Sequence, residues 1–341
     1  MFATRFKRSS CRLLPAVCLV LSAFCFLPSA YSATWTRQSS GTMAWLHAVY
    51  FLDQNHGWVA GSNGTLVETL DGGATWEKLS VRTTDTLRDV YFADDHVGWL
   101  LAERDEFKLK TNDEARSYLL KTEDGGLTWR SLFLEGVDAN ARLTRAVFVD
   151  GSNGWVFGET GVAFFTRDGG LHWTHQSLPT KHLLLGGTFV DAARGCLVGA
   201  GGTILKTSDA GTTWHVGVVR QGANVRLASA SFVSDRIGWA VGSAGHIYAT
   251  TDGGGTWFAQ RSNVDADLLD VKFINAAEGW AAGASGMLLR TLDGGAHWFI
   301  EPSNVSRAIE RLSVIDRTHA WAVGFGGTIL SYAQSDPPRL R

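Results

Sequence analysis

Apolar positions along the chain fall into short runs separated by turn residues, and the runs recur as a set. In the first complete cycle, residues 46–52, 57–61, 65–70 and 75–80 each read as a strand of five to seven residues, an ordinary strand length. After the first run comes an acidic, amide or hydroxyl residue, three more residues, and then Gly-Trp. The tryptophans of this motif are Trp58, Trp99, Trp155, Trp239, Trp280 and Trp321. Cys196 stands in the fourth of the seven copies, and Ala320 replaces Gly in the last. Successive copies lie 41, 56, 41, 43, 41 and 41 residues apart. Four short strands recurring at a period near 40 predict an all-β chain, a β-propeller. No segment has convincing helical periodicity, although 103–117 has room for a short helical turn.

A second motif closes each cycle. Residues 69–76 read Thr-Leu-Asp-Gly-Gly-Ala-Thr-Trp, and the pattern Thr-x-Asp-x-Gly-x-(Thr/His)-Trp appears six times. Its paired residues are Asp71 and Trp76, Asp124 and Trp129, Asp168 and Trp173, Asp209 and Trp214, Asp252 and Trp257, and Asp293 and Trp298. Asp accepts from the backbone N–H groups that follow it and closes a tight turn. Gly supplies a left-handed backbone conformation. Trp is a large apolar plate with one N–H donor, suited to packing where sheets meet. These aspartates are therefore structural turns between the third and fourth strands.

The count predicts closure. The seventh cycle has three strands, near 309–314, 320–324 and 328–332, and no Asp turn. Trp35 lies 41 residues before Trp76, in register with the turn tryptophans. The strand around Trp35 therefore completes the last blade, leaving seven four-stranded blades and no open edge. In such a ring the loops between strands two and three share a face with the blade-to-blade connections, and the Asp turns lie on the opposite face.

The start of the chain departs from the pattern. Arg5, Lys7, Arg8 and Arg12 precede an apolar run over 13–27, followed by Ala30-Tyr31-Ser32. This reads as a secretory signal peptide over 1–32, too short for a comfortable span, ahead of a propeller over 33–333 and a tail over 334–341. Export to the periplasm or medium is expected. Neither Cys18 nor Cys25 follows the small residue that lipid attachment needs. Without the leader, 27 basic residues stand against 33 acidic ones, a net charge of −6, so no nucleic acid partner is expected. Only Cys196 remains, which excludes an internal disulfide; in a Trp position it reads as a small buried hydrophobe.

Two departures fall on the connection face. The second cycle carries an insert near 103–117, charged and of mixed sign, which reads either as a solvated hairpin extension or as a partner-docking arm. Arginines also gather there. Arg88, Arg145, Arg226, Arg307 and Arg311 are the candidate partner-binding residues, with Arg82 and Arg142 nearby; Arg suits interfaces through its planar fork. The alternative pairs them with Asp85, Asp89, Asp138 and Glu310.

The run 57–66 leading into 69–76, repeated at 238–257 and 279–298, resembles the photosystem II stability/assembly factor family over essentially the whole chain after the leader. The resemblance implies a non-catalytic propeller outside the cytoplasm, and a monomer is expected. Its partner would be a membrane protein complex, bound on an arginine-rich face, with the thylakoid lumen as location in a photosynthetic host. The rival class is a secreted glycoside hydrolase of the sialidase type. Arg88, Arg145 and Arg311 would supply its arginine triad and Asp89, Asp270 or Glu310 its carboxylates. Against it stand the scarcity of Tyr, the lack of a placed Tyr–Glu pair and the short loops. His172 and His175 lie at a turn and into a strand, where alternation does not join them as ligands, so no metal or other cofactor is expected.

Overall fold

The computed structural model describes residues 33–109, 114–134, 136–220 and 225–334. The expected leader (1–32), residues 335–341 of the expected tail and the centre of the insert (110–113) lie outside them. The described chain forms seven antiparallel sheets in a ring. Blade 1 has strands Leu46–Phe51, Gly57–Gly61, Leu66–Thr69 and Glu77–Leu79. The inner strands of blades 2 to 7 are Thr86–Phe92, Leu143–Phe148, Leu184–Phe189, Leu227–Phe232, Leu268–Phe273 and Ile309–Val314. Blade 7 closes as the 41-residue register requires. Ala33–Gln38 pairs antiparallel with Thr328–Gln334, with Trp35 opposite Tyr332. Blade 5 carries one strand more than the repeat predicts. Val218–Arg220, in the connection from blade 4, pairs parallel with Thr256–Gln260. Part of the insert forms a single 3-10 turn, Glu106–Lys108, capped by the Asp105 side chain.

The aromatic repeat explains how the blades lock together. A Phe ends the inner strand of each of blades 1 to 6. In blade 2, Phe92 stacks on Trp58 of blade 1 (centroids 3.6 Å apart, planes within 6°) and meets Trp129 of its own Asp turn edge-on at 6.1 Å. Phe51 with Trp321 and Trp76, and Phe273 with Trp239 and Trp298, repeat this arrangement. Each such contact contributes about 0.5–1.5 kcal/mol beyond the apolar area it buries. The Gly before each Trp follows from the same packing. A Cβ on Gly57 would lie 2.5 Å from the Phe51 ring, and one on Gly98 2.6 Å from Phe92. Blade 7 has Val314 in place of Phe, and there Ala320 takes the place of Gly.

The Asp turns are hydrogen-bonded alike. Thr69 Oγ1 donates to Asp71 Oδ1 at 2.8 Å and accepts from Gly73 N at 2.8 Å; Thr75 N and Oγ1 donate to the two Asp71 oxygens. Gly72 and Gly73 have φ of 71° and 93°, which a side chain would penalise. His172 and His297 replace the second Thr and reach Asp168 and Asp293 through Nδ1 at 2.7 and 2.6 Å.

Candidate functional site: the charged channel and its mouth

Each inner strand pairs on one side only, so its other edge turns unpaired N–H groups toward the axis. Buried donors need acceptors, and the preceding blade supplies them. Asp89 Oδ2 accepts from Ala146 N (3.2 Å) and Asp270 Oδ2 from Leu312 N (2.9 Å). Ser231 Oγ accepts from Phe273 N and Ser313 Oγ from Phe51 N, both at 3.1 Å. Asp270 is further held by Ser229 Oγ at 2.6 Å. The axial cavity, about 230 Å³, is lined from all seven blades and contains Asp89, Arg145, Asp270 and Arg311.

These charges perturb one another. Burial raises Asp89 to about 6 against the opposing pull of Arg145. Burial lowers Arg145, while Asp89, Asp270 and Glu310 favour its charge. Arg145 Nη1 donates to Thr144 O (2.8 Å), and Arg311 Nη1 to Glu310 O (2.6 Å) and Leu269 O (3.5 Å). At the mouth, burial and then the fields of Arg88, Arg145 and Arg142 lower His47 to about 3, so the ring is neutral at physiological pH.

Beside the channel, blades 2 and 3 build a second cluster. Glu103, almost fully buried, receives Arg88 Nε at 2.5 Å, Arg142 Nε at 2.8 Å and Arg116 Nη2 at 3.6 Å. Glu159 lies 3.7 Å from both Arg116 and Arg142. Although Arg142 Nε is close to Glu103, it lacks hydrogen-bond alignment, and it and Arg116 Nε are buried donors without an acceptor. Three guanidinium groups thus share two carboxylates, with Glu106 adding a third at the rim.

Blades 7 and 1 add an aromatic lip. Trp45, 42% exposed, donates to Glu310 Oε1 at 3.1 Å and meets Phe325 at 5.5 Å. The Arg307 guanidinium sits 4.8 Å over the Phe325 ring. Burial raises Glu310, opposed by the Trp45 hydrogen bond and by Arg145, Arg88 and Arg226.

The five candidate arginines therefore separate. Arg145 and Arg311 line the axial cavity, Arg88 turns to Glu103, and Arg226 and Arg307 are exposed at the rim. Arg88, Arg145 and Arg311 do not line one cavity, as a substrate-gripping triad would. Of the carboxylates weighed against the arginines, Asp89 and Glu310 act within the cluster, whereas Asp85 faces Arg104 at 3.9 Å. Sequence reasoning missed Trp45, Phe325 and the hub role of Glu103. No local pattern marks them, because their partners lie in other blades or across the insert. Among the described residues Asp94, Asp95 and His96 alone have atoms grouped at metal-ligand spacing, and all three are exposed.

A family model described as photosynthesis system II assembly factor YCF48 matches residues 27–86, 75–183 and 171–265. A search of curated protein sequences gave no match. Among solved structures, YCF48 bound to a D1 peptide superposes with a TM-score of 0.72 at 22% identity, covering 90% of this chain and 99% of that one. YCF48 from Cyanidioschyzon merolae gives 0.71 at 18% identity, with 88% and 99% covered. A GH74 xyloglucanase from Xanthomonas campestris gives 0.68 at 16% identity, with 91% of this chain but 55% of the enzyme covered. At these identities the structural matches establish the propeller fold, and the family model spans well over half of the sequence. The chain belongs to the photosynthesis system II assembly factor YCF48 family.

Proposed function

We propose that this protein is an exported, monomeric, non-catalytic propeller that binds a subunit of a membrane protein complex at its arginine-lined mouth and assists assembly of that complex. The observation that carries the reading is the guanidinium surplus there. Arg226 and Arg307 are exposed and in no ion pair among the described residues, whereas Arg88, Arg116 and Arg142 are matched by Glu103, Glu106 and Glu159. Such a surface favours a carboxylate-bearing segment, which Arg binds with its planar fork. The structure of a YCF48 with a D1 peptide supports a membrane-protein subunit as the class of partner. The basic and apolar start of the chain supports export, to the thylakoid lumen in a photosynthetic host. The channel carboxylates support the non-catalytic reading, because Asp89 and Asp270 each spend an oxygen on a backbone N–H, whereas glycoside hydrolysis needs two free to act on substrate.

The test is affinity capture from crosslinked host membranes with the wild type and with an Arg226→Glu/Arg307→Glu variant. Both positions are exposed, so the fold is retained, which circular dichroism checks. One membrane complex enriched by the wild type and lost with the variant is expected. Equal capture by both proteins overturns the assignment to the mouth, and turnover of xyloglucan or a sialoside overturns the non-catalytic reading.

A further inference from the structure

One junction of the ring lacks its aromatic plate. At the junction of blades 2 and 3, Trp99 stacks on Phe148 (4.3 Å, 18°), its Nε1 donates to Gly169 O of the next blade's Asp turn (3.0 Å), and Lys121 Nζ lies 5.3 Å from the ring. Trp239 and Trp321 make the same donation, to Gly294 O and Gly72 O. At the junction of blades 4 and 5 the residue in the Trp position is Cys196. Its cross-strand partner is Lys206, as Lys121 is the partner of Trp99.

The site that an indole would fill is left open. A cavity of about 150 Å³ lies there on the Asp-turn face, lined by Phe232, Gly253 and Lys206, with Arg194 and Asp235 among its charged walls. Phe232 keeps its edge-on contact with Trp257 (5.8 Å, 82°) but no stacked partner. It is half-buried, as is Phe189 of blade 4, where Phe51, Phe92, Phe148 and Phe273 are buried, and Gly195 is the one partly exposed Gly at its position. Lys206 is in no ion pair among the described residues. Lys121, by contrast, also pairs with Glu123 at 3.1 Å. Arg194 bridges Asp191 and Asp235 across the rim at 2.6 and 2.9 Å. Cys196 itself is buried, and burial pushes its thiol up to about 12, so the slot offers no thiolate.

We propose that this slot binds a flat aromatic group with one N–H donor, an indole. The ring would stack on Phe232, its N–H would donate to Gly253 O, and Lys206 would lie over its other face as Lys121 does over Trp99. A cavity of this size accepts a benzene-sized ring, and the open rim accommodates the remainder. The ligand chemistry is the same whether the indole is a free small molecule or a tryptophan side chain of a partner. The proposal is independent of the mouth, which lies on the opposite face.

The test uses the chain from residue 33 onward, titrated with 5-fluoroindole by fluorine NMR and with N-acetyltryptophanamide by calorimetry. Saturable binding with a dissociation constant on the order of 1 mM or tighter is expected for fluoroindole. Binding of the amide as well identifies a side-chain site, and binding of fluoroindole alone a small-molecule site. Cys196→Trp supplies the missing plate from within and abolishes binding. Phe232→Leu weakens it about tenfold while keeping the core filled, which holds the test open if Cys196→Trp does not fold. No binding of either probe to the wild type overturns the proposal, as does undiminished binding to Cys196→Trp or Phe232→Leu.

Discussion

Asp270 provides a direct test of how the inner edges are satisfied. The residue is 3% exposed; its carboxylate accepts from Leu312 N at 2.9 Å and from Ser229 Oγ at 2.6 Å, and favours the charged state of half-buried Arg145. Asp270→Ala leaves the Leu312 N–H without its acceptor, at about 1–3 kcal/mol. It also removes a counter-charge of Arg145, and breaking a buried charge arrangement costs about 3–5 kcal/mol. These overlap rather than add, so about 3–5 kcal/mol is expected for the alanine variant. Asp270→Asn keeps an oxygen for Leu312 N and an amide for Ser229, and loses the charge alone, so about half of that loss is expected. The assay is urea unfolding followed by tryptophan fluorescence, with equal m-values required before the two variants are compared. A cost below about 1 kcal/mol for Asp270→Ala, or equal costs for both variants, refutes the claim that the preceding blade must cap these N–H groups.

Three further outcomes follow from the same structure. Asp89, raised to about 6 by burial against the pull of Arg145, is favoured in its neutral form. The wild type is therefore most stable relative to Asp89→Asn below pH 3.8 and loses about 3 kcal/mol of that difference as pH rises through 6; a flat difference between pH 4 and 7 contradicts it. The Asp turns have the opposite sign. At Asp168 burial is outweighed by hydrogen bonds from His172 and Thr166, which hold the carboxyl at about 2. Its contribution is present above pH 3.8 and fades as pH falls toward 2, so the stability difference between wild type and Asp168→Asn should shrink over that window. Trp35→Ala removes a buried plate that meets Tyr332 at 5.2 Å and donates to Glu301 Oε2 at 2.8 Å. A loss of about 3–5 kcal/mol is expected, with oligomers on size-exclusion chromatography as the edge of Thr328–Gln334 opens.

The architecture was legible because its cause repeats within the chain. The spacing of Trp35 to Trp76 is enough to place the closing strand, since a one-residue slip would turn Trp35 away from Tyr332. A Phe seven residues before each Trp of the Gly-Trp motif was also there to be read, and so was its loss at Val314, where Gly gives way to Ala320. The added strand Val218–Arg220 was not legible. At three residues it is too short to show alternation, and it is defined only by the blade it lies beside. The mouth was legible as a gathering of arginines and not as an electrostatic arrangement. Glu103 belongs to the insert, outside the repeat, and the contact of Trp45 with Phe325 joins residues 280 positions apart in sequence.

That distinction bears on where a partner is read. Twice around the ring an Asp three residues before the end of one inner strand precedes an Arg at the same position of the next, as Asp89 before Arg145 and Asp270 before Arg311. The Asp caps the following strand's backbone and supplies negative charge beside its arginine, so the channel itself is close to balanced. The balance explains how Arg145 is tolerated in the axial cavity. The positive surplus belongs instead to Arg226 and Arg307 at the rim, outside these pairs and outside the cluster around Glu103. Reversing charge at Arg145 or Arg311 would unsettle the ring and a partner's binding together, and the two effects could not be told apart. Reversing it at Arg226 and Arg307 changes the surface a partner meets while leaving the capped inner strands intact, which makes the rim arginines the ones that discriminate a binding face from a structural charge network.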